Sequence, residues 1–175
     1  MMLSEHAKIL NTIRLADEVV GRKKLQKMIF IAKKLAYPFQ EKFEFHFYGP
    51  YSEELTLQME ELVNMGFLEE VKEKKGGYFQ YRYTITDTGE EFLQMYENAL
   101  NTNSFDDLVQ NLNDQSARFL ELVSTILYFD QLSREEIFDK VYTVKSKQNY
   151  TEEEIEEAFR YIDALKSMAN IQLHT

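Results

Sequence analysis

The sequence contains no cysteine, which excludes disulfides, thiolate chemistry and cysteine-based zinc sites. It has no run of about 18 uninterrupted apolar residues, and its opening MMLSEHAKIL lacks the apolar stretch of a secretory signal. A cytoplasmic chain without membrane attachment is expected. Histidine is scarce: His6, His46 and His174 lie far apart and form no metal-ligand spacing, so no metal is expected. The sequence also lacks a P-loop, a G-x-G-x-x-G and a G-x-S-x-G. No cofactor and no enzymatic activity are expected. The acidic run Glu152, Glu153, Glu154, Glu156 and Glu157 falls at a helix start, where carboxylates complement the helix dipole and stay solvated.

Basic charge is in deficit, with 20 Lys and Arg against 30 Asp and Glu and a net charge of −10. Residues 1–50 hold nine basic and five acidic side chains, residues 51–100 four and eleven, and residues 101–175 seven and fourteen. An acidic whole repels a phosphate backbone at long range, and a basic partner suits it better.

With 44% hydrophobic residues in 175, the chain can bury a core as one domain or two small ones. Helical spacing of apolar residues runs from Ser4 to about Val20 and, past Gly21, from Arg22 to Ala36. The second of these helices carries Arg22, Lys23, Lys24, Lys27, Lys33 and Lys34, which read as the solvated side of an amphipathic helix. An aromatic strand follows, then a third helix from Ser52 to Met65, stopped by Gly66. Two β-rich runs around the double glycine of KKGG predict a hairpin, and a helix capped by Thr86 or Thr88 is predicted to run to about Leu100. NTNSFDD reads as a linker. Beyond it, Phe119 to Phe129 is largely apolar, and two S/T-x-x-E capping boxes, Ser133 with Glu136 and Thr151 with Glu154, start further helices. The expected fold is mainly α with a small β-hairpin (α+β). Residues 1–100 are read as a winged-helix-like module and 101–175 as a helical, trihelical module, with joint packing of the two left open.

One junction stands apart. In FHFYGPYSEEL an alternating strand passes through Gly49 and Pro50 into a helix start. Gly49 is expected to supply a positive φ, and Pro50 to suit the first helical turn, where its missing N–H is not needed. Anion binding at this helix start is disfavoured, because Glu53 and Glu54 already occupy its first turn.

The whole chain resembles the YwgA-like proteins of Gram-positive bacteria, an uncharacterised family, through GRKKLQKM, HFYGPYSEEL, EVKEKKGGY and SKQNYTEEE. Residues of about 20 to 90 also resemble the Panacea or SocA-type antitoxin domain. The residues carrying that likeness are Lys24, Leu25, Gln26 and Lys27, then Tyr48, Gly49 and Pro50, then Ser52 and Leu55. The resemblance implies a non-enzymatic protein-binding module, an antitoxin-like neutraliser or adaptor, with an unidentified protein partner. Read as a recognition surface beside Lys24 and Lys27, YGPYS makes Lys24, Lys27, Tyr48, Gly49, Pro50, Tyr51 and Ser52 the candidate partner-binding residues. The alternative is a winged-helix transcriptional regulator. A DNA-reading third helix wants Arg or Lys, whereas this one offers Glu53, Glu54, Glu60 and Glu61. Nucleic acid is therefore unlikely as a partner, with the wing residues Lys72, Lys74, Lys75 and Arg82 as its remaining route.

Overall fold

The computed structural model describes residues 2–100 and 103–173. The chain is a mainly helical α+β protein. Helix α1 (Met2–Ala16) is followed by a two-residue strand β1 (Val19–Val20), helix α2 (Arg22–Lys34), strands β2 (Glu44–His46) and β3 (Gly49–Tyr51), and helix α3 (Glu53–Asn64). Strands β4 (Leu68–Lys75) and β5 (Tyr78–Ile85) come next, then helices α4 (Asp87–Gln94), α5 (Glu97–Leu100), α6 (Asn103–Asn113), α7 (Ala117–Tyr128), α8 (Arg134–Val144) and α9 (Glu152–Leu173).

The first helix stops earlier than its apolar spacing suggests. Asp17 takes a left-handed φ of 70°, and the β-branched pair Val19–Val20 leaves the helix to lie antiparallel against Tyr83 and Arg82 of β5. The hairpin predicted around KKGG forms in full, Leu68 facing Ile85 and Lys75 facing Tyr78, and β1 extends it to the order β1-β5-β4. Gly66, at φ 79°, ends α3 in a Schellman arrangement: Phe67 N–H donates to Leu62 and Gly66 N–H to Val63. Thr86 caps α4 through Gly89 N–H, but that helix breaks at Met95–Tyr96 instead of running on to Leu100. Both predicted capping boxes are present, at Ser133 with Glu136 and at Thr151 with Glu154.

Two expectations change. NTNSFDD is not a free linker: from Asn103 onward it is the first part of α6, whose Phe105, Leu108, Val109 and Leu112 are buried. The polar letters hid an apolar stripe of helical period. The C-terminal half accordingly holds the four helices α6 to α9 among the described residues, one more than a trihelical unit. The basic face of α2 is only partly solvated: Arg22, Lys23 and Lys34 are exposed, but Lys27 is buried. Helix α7 packs along α2, Lys24 donates to Asn113 O at the end of α6 (2.5 Å), and Lys34 pairs with Asp130 (3.0 Å). Lys24 and Lys34 thus reach across to the second half of the chain. The buried apolar residues of both halves, from Ile9 and Ile29 to Val123 and Ile155, form one continuous cluster.

Candidate partner-binding site

The FHFYGPY segment folds back on itself before the helix begins. Phe45 faces Pro50 and His46 faces Gly49, so Phe47 and Tyr48 form the turn of a small hairpin. Gly49 takes the expected positive φ, 95°. Pro50 does not occupy the first helical turn: it lies in β3, where a two-stranded ladder tolerates a residue without an N–H. The helix starts two residues later, at Ser52, whose hydroxyl accepts from Leu55 N–H (3.2 Å).

Helix α2 clamps this start through one side chain. The buried amide of Gln26 accepts from Ser52 N–H (2.8 Å) and donates to Ser52 O (2.9 Å) and Thr56 Oγ1 (3.0 Å). It takes the place of a neighbouring strand for Ser52, which is fully buried. This is the physical content of the glutamine in KLQK and the serine after YGP.

Behind the hairpin lies a charge cluster that periodicity alone did not reveal. Glu121 of α7 is 9% exposed and Lys145, at the end of α8, is 2% exposed. The Lys145 ammonium donates to Phe47 O (2.8 Å) and approaches Glu121 Oε1 (3.5 Å). Gln148 and Tyr150 both donate to Glu121 Oε2 at 3.2 Å. A Cβ on Gly49 would sit 3.7 Å from Glu121 Cγ and Ser124 Oγ and 3.8 Å from Lys27 Cε. The segments YGPYS and KSKQNY, a hundred residues apart, thus meet around one carboxylate. The signal in the sequence was Glu121 itself, a lone acid inside the apolar run FLELVSTILYF, because a buried charge requires partners.

The sequence candidates separate by burial. Tyr48 is 50% exposed beside Phe47 at 64%, and the Lys23 ammonium lies over the Tyr48 ring at 3.1 Å. Tyr51 is half-buried, with its hydroxyl bonded to Thr56 (2.9 Å) and its ring against His46. Lys27, Gly49, Pro50 and Ser52 are buried, which removes them from any open surface. Lys27, Tyr48, Gly49, Pro50 and Tyr51 nevertheless share the wall of one cavity of about 320 Å³, between α2, the hairpin and α3. Lys24 and Ser52 are not part of that wall. Among the described residues, no group of three or more His, Asp or Glu side chains is placed to hold a metal ion, and no helix is long and apolar enough to cross a membrane.

Gly49→Val is expected to cost roughly 1–3 kcal/mol, because a β-branched residue is strained at positive φ. The neighbours around its Cβ lie at ordinary contact distance, so strain and not collision is the cause. A thermal melt checks this, and an unchanged midpoint contradicts it.

Burial holds the Lys27 ammonium at about 8, below its ordinary 10.5, against the attraction of Glu121 and with repulsion from Lys145 and Lys23. Burial lowers Lys24 and Lys145 as well. From about pH 8 towards 10.5 the unfolded chain keeps the Lys27 proton that the folded chain has released, so Lys27 makes the fold more stable as pH rises, and the lowered Lys24 and Lys145 act in the same direction. Burial raises Tyr83, Tyr150 and Tyr161, and they oppose this only from about pH 10, where unfolded tyrosine ionises. The denaturation midpoint is expected to climb between about pH 8 and 9.5, and Lys27→Met to flatten the climb. A wild-type midpoint that falls through this window contradicts the assignment.

No protein-family model matches the chain. Over 167 residues it is 60% identical to "Uncharacterized protein YwgA" of Bacillus subtilis (strain 168), a match that spans 95% of this chain and 99% of that protein. At that identity over nearly the full length of both sequences, the chain belongs to the YwgA family.

Proposed function

We propose that the chain is a non-enzymatic, cytoplasmic protein-binding regulator, an antitoxin-like neutraliser or adaptor built on a winged-helix-like scaffold. The observation that carries this reading is the hairpin tip. Two large aromatics, Phe47 and Tyr48, stand exposed on a turn whose Phe47 carbonyl is held from below by Lys145, itself paired with Glu121. Rigid, exposed aromatic anchors are where interface energy concentrates. The neighbouring helix α3 supports a protein partner over DNA, since Glu53, Glu54, Glu60 and Glu61 are all exposed and α3 carries no Lys or Arg.

The DNA-binding alternative draws on Lys72, Lys74 and Lys75, which are exposed on the β4–β5 hairpin. Much of the wing's charge is already engaged: Arg82 pairs with Glu73 (2.8 Å) and Glu18, Lys75 lies 3.9 Å from Glu73, and Lys72 sits over the Phe79 ring. Fluorescence anisotropy against sheared genomic DNA is expected to show nothing tighter than the micromolar non-specific range at about 0.15 M salt. Sequence-selective nanomolar binding overturns the reading in favour of a DNA-binding transcriptional regulator. In parallel, Phe47→Ala with Tyr48→Ala is expected to lose the partner that wild type retains from native extract, at an unchanged melting temperature, because exposed substitutions usually cost little stability. Tyr142→Ala on α8 is the exposed-aromatic control and should retain it. Retention by the double variant contradicts the proposal.

A further inference from the structure

We infer that the cavity beside Lys27 is a ligand site for a carboxylate carried on a planar apolar body. Its walls are apolar where Pro50, Met59 and the rings of Tyr48 and Tyr51 line it, which suits an aromatic group. A volume of about 320 Å³ lies at the small end of the range for ligand pockets.

The charged side chains of the wall, Arg22, Lys23 and Lys27 against Glu70 and the exposed Glu60, leave a positive balance that fixes the ligand's sign. One oxygen of Glu70 accepts from the Tyr83 hydroxyl (2.6 Å) and from Arg22 (3.3 Å), so acid and base cancel at that end. The Lys23 ammonium is placed over the Tyr48 ring. Glu121, the acid nearest Lys27, is engaged by Lys145, Gln148 and Tyr150. Lys27 differs from all of these. It is 3% exposed, and its ammonium donates to Lys23 O at a long 3.4 Å. An ammonium has three N–H groups, and a buried cation with unused donors favours an anionic oxygen that completes its shell.

Two sources carry this chemistry: a free aromatic carboxylate, or the C-terminal aromatic residue of a polypeptide. Calorimetric titrations of the purified chain distinguish them, using 3-phenylpropionate, the tetrapeptide acetyl-Ala-Ala-Ala-Phe, and the amide of each. Each acid is expected to bind at least tenfold more tightly than its amide, and Lys27→Met to abolish that difference. Tighter binding of the tetrapeptide assigns a polypeptide terminus, and tighter binding of phenylpropionate a free carboxylate. The acid-to-amide comparison on wild type stands alone if Lys27→Met does not fold. Equal binding of acid and amide, acid selectivity that survives in a folded Lys27→Met, or no binding by either acid at about 10 mM overturns the inference. No partner protein enters these titrations, so their failure leaves the hairpin-tip proposal standing, and the reverse holds as well.

Discussion

Glu121→Leu is expected to destabilise the protein by about 3–5 kcal/mol, the cost of removing one member of a buried ion pair and leaving the other uncompensated. Lys145 would remain 2% exposed with its acid gone, beside a Lys27 that burial already disfavours as a cation. Gln148 and Tyr150 would each lose an acceptor as well. Because the defect is a stranded charge and not lost volume, Glu121→Leu with Lys145→Met should be more stable than Glu121→Leu alone, apolar replacement of a whole buried pair being close to neutral. Urea denaturation of the three proteins decides this. A double variant no better than the single one means that the cluster acts through packing. The consequence for function is local, since Lys145 holds the carbonyl of Phe47 and thereby the tip that carries the exposed aromatics.

Gln26→Leu is expected to cost about 1–3 kcal/mol, because it strips the N–H of a fully buried residue of its partner. Ser52 N–H donates to Gln26 across 26 residues of sequence, whereas Ser52 O keeps Thr56 N–H and Thr56 Oγ1 when the Gln26 donor is lost. Gln26→Glu tests the donor separately: it keeps the acceptor for Ser52 N–H and sets an anion against Ser52 O, so it should also be destabilising. A urea midpoint close to wild type for Gln26→Leu contradicts the clamp.

These two effects show how far the sequence could be read. Periodicity and capping found most of the helices, though not α6, and the β4–β5 hairpin, because each is set by neighbours a few residues away. The Thr151 cap and the positive φ of Gly49 were readable for the same reason. What escaped depends on distant contacts. Val19 and Val20 form a strand only because β5 offers them an edge. Pro50 joins a strand because Phe45 folds back opposite it. The segment from Asn103 onward is helical because Phe105 and Leu108 find the core. The lysines of α2 show the same limit most clearly. A charge run at helical spacing resembles a solvated face, and only the packing of α7 shows that Lys27 is enclosed and that Lys24 reaches α6. Of the seven candidate residues, five line one cavity. Lys24 and Ser52 instead serve the frame, through Asn113 and Gln26.

The central claim is that the Phe47–Tyr48 tip is the surface a protein partner covers. Hydrogen–deuterium exchange on the complex captured from native extract, compared with the free chain, tests it most directly. The expected result is slowed exchange over residues 44–51 and the first turn of α3, with α9 unchanged. Protection confined to the β4–β5 hairpin or to α9, with residues 44–51 exchanging as in the free chain, contradicts it.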